Sequence, residues 1–226
     1  KQYFVAHGLK ENQLIFAPHA VENERFTDNE TRRYAEHALS WRREIGFSDE
    51  DIVLLFAGKL EPKKGIDLLL ETFMRIDNSK MKLLIVGSGY AESKLKATAA
   101  KDTRVHFLPF QNQTKMPVVY RLGDIFCLPS RGPGETWGLA VNEAMACGKA
   151  VLVSDRCGCA ADLVKDGENG YIFQSGNPDS LSDKIRLLYT SGLQNLRHFG
   201  LKSGEIIKEW SIGRLADAIT NSMQPF

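Results

Sequence analysis

Short apolar runs, each closed by a glycine or a polar loop and followed by a segment of helical period, recur along the middle of this chain. That alternation constrains its fold more than any other feature. IVLLFAG (52–58) is a continuous apolar run ended by Gly58, which reads as a buried strand. In the segment that follows, Ile66, Leu69, Leu70 and Phe73 fall at i, i+3, i+4 and i+7, one face of a helix. KLLIVGSG (82–89) is a second strand closing on glycines, AESKLKATAA a short helix, VHFLPF (105–110) a third strand and TKMPVVYRLG another turn or two of helix. DIFCLPS (124–130) is a fourth strand, and a glycine-rich loop, RGPGETWG, leads from it into the helix LAVNEAMACG. AVLVS (150–154) is a fifth strand, and turns at Asp166-Gly167 and Asn169-Gly170 precede a short sixth. Beyond Pro178 the pattern is helical, with Leu181, Ile185 and Leu188 on one face.

Strand and helix in turn, five or six times, mean a parallel sheet with helices on both faces. The strands are apolar throughout rather than alternating, as they must be when both faces are covered. The expected fold is therefore α/β: a Rossmann-like, doubly wound parallel sheet of about six strands. Residues 1–50 read as a lead-in strand and loop with one helix, part of the same domain. In that helix Tyr34, Ala38, Trp41 and Ile45 share a face, Thr27 or Asp28 caps it and Gly46 stops it. Residues 51–200 form the Rossmann-like core. Residues 201–226 carry a terminal helix, about 203–223, with Ile207, Trp210 and Ile219 as its contacts.

At 226 residues the chain is long enough to bury a core without staples. Lys+Arg number 29 against 28 Asp+Glu, a net charge of +1, so no global field draws it to nucleic acid or acidic lipid. No apolar run spans a bilayer and no secretory leader is visible. Cys127 and Cys147 read as small buried hydrophobes. Cys157 and Cys159, one residue apart, have no nearby Cys/His pair to complete a zinc site, so no metal is expected. A reducing cytoplasm is the simplest compartment.

In such a sheet, ligands bind beyond the carboxyl ends of the strands, and four loops there carry chemistry. The first, GKLEPKKG, places Lys59 at a strand end and Lys64 at the start of the next helix, two cations suited to a diphosphate. Read alone they are solvated lysines; their position is what favours the anion site. The second, GSGYAE (87–92), starts at Gly87 like a dinucleotide fingerprint but has Glu92 where the third glycine belongs, so it is a tight turn with close backbone approach. No phosphate-binding P-loop occurs. The third, PFQNQTK, offers Phe110 as a wall for a flat ring, or is an ordinary loop.

The fourth loop is the most informative. Three glycines and a proline precede a helix that opens near Gly138, so the amides of Thr136, Trp137, Gly138 and Leu139 are free to face an anion. Glu135 lies in the loop and Glu143 within the helix. Carboxylates accept hydroxyl hydrogen bonds, so the pair suits a ligand dense in hydroxyls. Leu139, Ala140, Ala144 and Met145 surround Glu143 with apolar residues, and a carboxylate in that company needs a partner.

At this loop the sequence resembles the retaining GT-B glycosyltransferases of family 4. Glu135 and Glu143 match that family's Glu-x(7)-Glu element, Gly58-Lys59 with Lys64-Gly65 its Gly-Arg-x(4)-Lys-Gly element, and Asp166 to Gly170 its Asp-Gly-x-Asn-Gly turn. Order and spacing agree over about residues 1–222. The resemblance implies a carboxyl-terminal, donor-binding half of a GT-B enzyme that transfers a hexosyl unit from a UDP- or GDP-linked sugar to a glycan, lipid or other hydroxyl acceptor. It implies that Lys59 and Lys64 hold the donor diphosphate and stabilise the leaving group. Glu135 would bind the transferred sugar, Glu143 the ribose hydroxyls, the amides near Gly138 and Leu139 phosphate and sugar, and the Phe110 loop the base. No cofactor or metal is implied, basic residues and a helix dipole doing a cation's work.

Three departures stand out. Lys59 replaces the usual arginine and lacks its bidentate fork. Glu-Thr-Trp-Gly replaces Glu-Gly-Phe-Gly. Cys157-Gly158-Cys159-Ala160-Ala161-Asp162 stands where the family has Gly-Gly-x-x-Glu. The resemblance also implies an acceptor-binding partner half preceding Lys1, against which the helix near Trp210 would pack and through which any peripheral membrane association would occur. The chain alone is expected to bind donor without efficient transfer. Other readings are a non-catalytic nucleotide-binding or interaction module and a GT-B-like sugar-nucleotide epimerase; a phosphorylase would need a marked lysine for pyridoxal phosphate, and a dehydrogenase an intact glycine fingerprint.

Overall fold

A computed structural model describes residues 2–132 and 134–223. Pro133 of the glycine-rich loop, Lys1 and residues 224–226 lie outside the described residues. The elements run α1 (Gln2–Ala6), α2 (Asn23–Phe26), α3 (Tyr34–Ile45), β1 (Ile52–Ala57), α4 (Ile66–Met74), β2 (Met81–Val86), α5 (Glu92–Ala99), β3 (Val105–Leu108) and α6 (Met116–Leu122). They continue as β4 (Ile125–Leu128), α7 (Leu139–Ala146), β5 (Ala150–Ser154), α8 (Ala160–Leu163), β6 (Gly170–Phe173), α9 (Pro178–Ile207) and α10 (Ile212–Ser222). The six strands form one sheet in the order β3-β2-β1-β4-β5-β6, every pair parallel. The order reverses between β1 and β4, which opens a crevice at their carboxyl ends.

The period of two sorts the strand residues onto two cores. Val53, Leu55 and Ala57 pack with Val151 and Val153 beneath α3, α6, α7 and α8. Ile52, Leu54 and Phe56 pack with Ile125, Cys127 and Leu152 beneath α4, α5 and α9. All six β1 residues are buried, which is why the sequence run is uninterrupted. Helix α3 ends as expected on Gly46 in the left-handed region (φ 95°). Its start is capped at a distance: the Asp28 carboxylate accepts from the Tyr34 amide at 2.7 Å and the Ala35 amide at 2.8 Å. Those amides hold its pKa below the ordinary value, against the opposing and largest effect, desolvation.

Three expectations change. The lead-in forms no strand: it is α1, a 3-10 turn at Glu11–Gln13 and an extended strap with one bridge, Val21 to Ser211. Pro18 removes a ladder donor from that strap, and the strap lies over α7 instead, where the Asn142 Nδ2 donates to the His19 carbonyl at 2.9 Å. The terminal helix is two helices, because the second part of α9, after a kink at Gly192 (φ 76°), runs through residue 203 to Ile207 and α10 starts afresh with the Ser211 hydroxyl capping the Arg214 amide. Ile219 is half exposed and makes no core contact, whereas Ile207 and Trp210 are buried as expected. Trp210 is engaged within this chain, its ring 5.0 Å from both Phe16 and Trp137.

Candidate nucleotide site

The loops after β1, β2 and β3 and the first turn and a half of α7 enclose a cleft of about 630 Å³. Gly58 and Lys59 form one lip, Gly87 to Gly89 the back, Phe110 with Gln111 the far end, and Leu139, Ala140 and Glu143 the opposite wall. The back can form only because Gly87 has no side chain. Its φ is +145°, and a Cβ there would sit 1.9 Å from the Gly58 carbonyl oxygen. Phe110 is 69% exposed, an unpartnered aromatic wall. Lys59 is exposed and forms no ion pair among the described residues.

The floor carries the most loaded group. The Tyr120 hydroxyl donates to Glu143 Oε2 at 2.7 Å, and Glu143 Oε1 lies 3.9 Å from the Arg25 guanidinium. Burial raises the Glu143 carboxyl above its ordinary pKa, and the Tyr120 hydrogen bond and the Arg25 charge oppose that rise. Burial first, then the Glu143 charge, pushes the Tyr120 phenol well above its usual range, so it stays a donor. Arg25 also donates to Gln113 Oε1 at 2.6 Å, and its Nε is buried without a partner.

Lys64 and Glu135 stand beside this cleft rather than in its wall. The Lys64 ammonium bonds Glu135 Oε2, and the Ser130 hydroxyl donates to the same oxygen at 2.9 Å. Gly65 permits this. Its φ is +68°, and a Cβ there would meet the Pro129 carbonyl oxygen at 2.0 Å, so the turn carrying Lys64 lies directly on the loop after β4. Lys64 belongs to a 3-10 turn, Pro62–Lys64, rather than to the first turn of α4.

The glycine-rich loop is braced from behind by the loop after β5. The Gly158 amide donates to the Glu135 carbonyl at 3.2 Å and the Cys159 amide to the Trp137 carbonyl at 3.0 Å. With those carbonyls taken, the amides of Thr136, Trp137, Gly138 and Leu139 have no acceptor among the described residues. Gly138, at φ 107°, starts α7, and a Cβ there would press on Leu128 at 2.9 Å. The Trp137 ring faces away from the cleft, stacked on His19 at 4.9 Å with its Nε1 donating to Asn142 at 2.8 Å. Its side chain is structural, and only its backbone can serve the site. No group of three His, Cys, Asp or Glu among the described residues is placed to hold a metal ion, and all four cysteines are free and buried.

Residues 39–218 match the family model for glycosyl transferases group 1. The chain belongs to that family. It is 33% identical over 152 residues to an uncharacterized glycosyltransferase of Methanocaldococcus jannaschii, covering 65% of this chain and 38% of that one. It is 34% identical over 157 residues to a lipopolysaccharide 1,2-N-acetylglucosaminetransferase of Salmonella typhimurium, covering 64% and 41%. A GDP-mannose-dependent mannosyltransferase of Corynebacterium glutamicum matches over 92% of this chain at 28% identity, across 55% of its own length. The chain thus spans about half, or less, of the length of these curated relatives.

Among solved structures, Anabaena HepE in complex with UDP and glucose superposes with a TM-score of 0.78 at 20% identity, covering 99% of this chain and 60% of that one. The C-terminal domain of a Francisella tularensis group 1 glycosyl transferase is covered completely, with a TM-score of 0.70 at 20% identity over 85% of this chain. These likenesses establish the GT-B half-fold.

In this member of the group 1 family the cleft brings together Gly58, Lys59, Gly87, Phe110, Leu139 and Glu143. It leaves Lys64 and Glu135 paired with each other alongside. Tyr120, Arg25 and Gln113 were not legible. Tyr120 looks like another apolar position of α6, and nothing local ties it to Glu143, 23 residues away. The need of a buried carboxylate for a partner was the one available signal, and it did not say which residue answers.

Proposed function

We propose that this chain is the donor-binding half of a retaining, metal-independent glycosyltransferase that moves a hexosyl unit from a nucleoside-diphosphate sugar to a hydroxyl acceptor. The observation that carries the reading is the pairing, across one cleft, of an unneutralised Lys59 at the lip with a buried Glu143 carboxylate held by Tyr120. A diphosphate answers the first and a ribose diol the second. Phe110 at the far end supplies a face for the base, and the free amides of residues 136–139 supply donors to phosphate oxygens or the sugar.

In this reading Lys59, and Lys64 once released from Glu135, stabilise the negative charge that grows on the departing diphosphate. Glu135, in the same exchange, accepts hydroxyl hydrogen bonds from the transferred sugar. The acceptor hydroxyl would attack the anomeric carbon from the same face that the diphosphate leaves, the new C–O bond forming as the bond to the diphosphate breaks and the hydroxyl proton passing to the leaving phosphate. The base is UDP- or GDP-type, no cofactor takes part, and the acceptor site lies on a second half. The share of relatives' length that the chain spans, and its full coverage of an isolated C-terminal domain, support that division. Among the described residues no helix is long and apolar enough to cross a membrane.

The test is calorimetric titration of the chain with UDP, GDP, ADP and CMP, alongside Glu143→Ala. Binding of one diphosphate, lost in the variant, supports the reading. Equal binding of that nucleotide by the variant would contradict it. Turnover by this chain alone at the rate of a two-domain transferase would contradict the division into halves.

A further inference from the structure

On the opposite side of the molecule from the nucleotide cleft lies a second cavity, of about 560 Å³. It sits at the amino ends of the strands, where Asp124 directly precedes β4 and Lys149 directly precedes β5. Doubly wound sheets place their usual ligands at the other end, so the fold does not account for it. Its wall carries four cations, Arg42, Arg121, Lys149 and Arg197, against two carboxylates, Asp49 and Asp124.

The carboxylates are already used. Asp124 accepts from Arg42 at 3.0 Å and from the Val53 amide at 2.8 Å. Asp49 faces Arg43, outside the cavity, at 3.3 Å. Arg121 makes its hydrogen bonds to neutral acceptors, the Phe26 carbonyl at 2.6 Å, the Pro117 carbonyl at 2.8 Å and the Cys147 sulfur at 3.2 Å, while its guanidinium lies over the Tyr34 ring and its charge is felt by the Asp28 carboxylate. The Lys149 ammonium has no hydrogen-bond or ion-pair partner among the described residues, and neither does the Arg197 guanidinium. Lys149 is partly buried, and burial first lowers the pKa of its ammonium; the charges of Arg121 and Arg42 add to that, and the Asp124 carboxylate opposes it. A part-buried ammonium with no direct partner, in a concavity lined by more cations than carboxylates, is favoured by an anion that joins it.

We infer that this cavity binds a phosphoryl-bearing anion, with Lys149, Arg121 and Arg197 as its cationic contacts, separately from the donor site. The lining carries two more cations than carboxylates, which matches a dianionic phosphomonoester. Such a group is carried by soluble phosphate esters and by anionic lipid headgroups alike.

The experiment reads amine-reactive labelling of Lys149 by peptide mass spectrometry in the intact chain, with inorganic phosphate as the soluble probe and phosphatidic acid vesicles against phosphatidylcholine vesicles as the lipid probe. Phosphate alone protecting Lys149 identifies a soluble ligand. Protection by phosphatidic acid vesicles and not by free phosphate identifies a headgroup. In either case Arg197→Gln, on an exposed helix position, should weaken that probe roughly tenfold, the loss of one charged hydrogen bond, while Glu143→Ala leaves it unchanged. Protection of Lys149 that is undiminished in Arg197→Gln but disappears in Glu143→Ala would place the anion in the nucleotide cleft and overturn the inference. Absence of protection by both probes would overturn it too. Nucleotide affinity should be the same in Arg197→Gln as in the parent, so the two sites fail or stand independently.

Discussion

Tyr120 and Glu143 meet on the floor of the cleft, phenol to carboxylate at 2.7 Å, and this contact ties helix α6 to α7 beneath the site. It reconciles two opposed demands. A ribose needs an ionised acceptor, and the apolar surroundings of α7 favour the neutral one.

That balance predicts a pH dependence. Glu143 has a folded-state pKa above its unfolded value, so the native state holds its proton more tightly and stability from this group falls as pH rises from about 4.5 through the raised value. Glu143→Gln should therefore melt higher than the parent at pH 7, by roughly a few degrees. The gain should shrink toward pH 4. Differential scanning across pH checks it, and a gain that grew on acidification would contradict the assignment.

Nucleotide binding should run the other way. Ribose recognition needs the Glu143 carboxylate, so affinity rises with pH through its titration. In Tyr120→Phe the hydrogen bond that favours the charged form is gone, and the midpoint of that rise should move to higher pH. Titrations of the preferred nucleotide at several pH values measure it. An unshifted midpoint would mean Tyr120 is a packing residue only.

Lys59 should act on phosphate alone. Lys59→Ala is expected to weaken the nucleoside diphosphate by about tenfold, the scale of one charged contact, and to leave the free nucleoside unaffected. Calorimetry with both ligands separates the two, and an equal loss for the nucleoside would place Lys59 elsewhere.

Gly87→Ala tests the backbone rather than a side chain. The added Cβ would sit 1.9 Å from the Gly58 oxygen at a φ that side chains avoid, so the loops after β1 and β2 must part. A cost of roughly 2 kcal/mol or more in chemical denaturation, with loss of nucleotide binding, is the expected result.

Arg42 offers a contrasting case, structural and remote from the cleft. Only 8% exposed, it donates to Asp124 and to the Leu122 and Asp51 carbonyls. Arg42→Ala leaves a part-buried carboxylate unpaired and should cost about 3 kcal/mol, while nucleotide affinity of the folded fraction stays unchanged. Chemical denaturation and calorimetry together report it.

The sheet was legible because its strands are buried on both faces, so Ile52 to Ala57 leaves an unbroken apolar run. The cleft was legible where chemistry is local, as at Gly58-Lys59 and Glu143. It was not legible where distant segments meet. Arg25 reaches Glu143 from helix α2, and the pairing of Lys64 with Glu135 depends on Gly65 lying against Pro129. The break between α9 and α10 was also hidden. Neither glycine nor proline marks residues 208–211, and the chain turns where Trp210 packs on Trp137 and Phe16.

The most direct measurement is calorimetric titration of this chain with UDP and GDP, repeated with Glu143→Ala. The account predicts saturable binding of one of them and its loss in the variant. Binding of neither, or binding that ignores Glu143, would contradict the claim that this cleft is a nucleotide-sugar donor site.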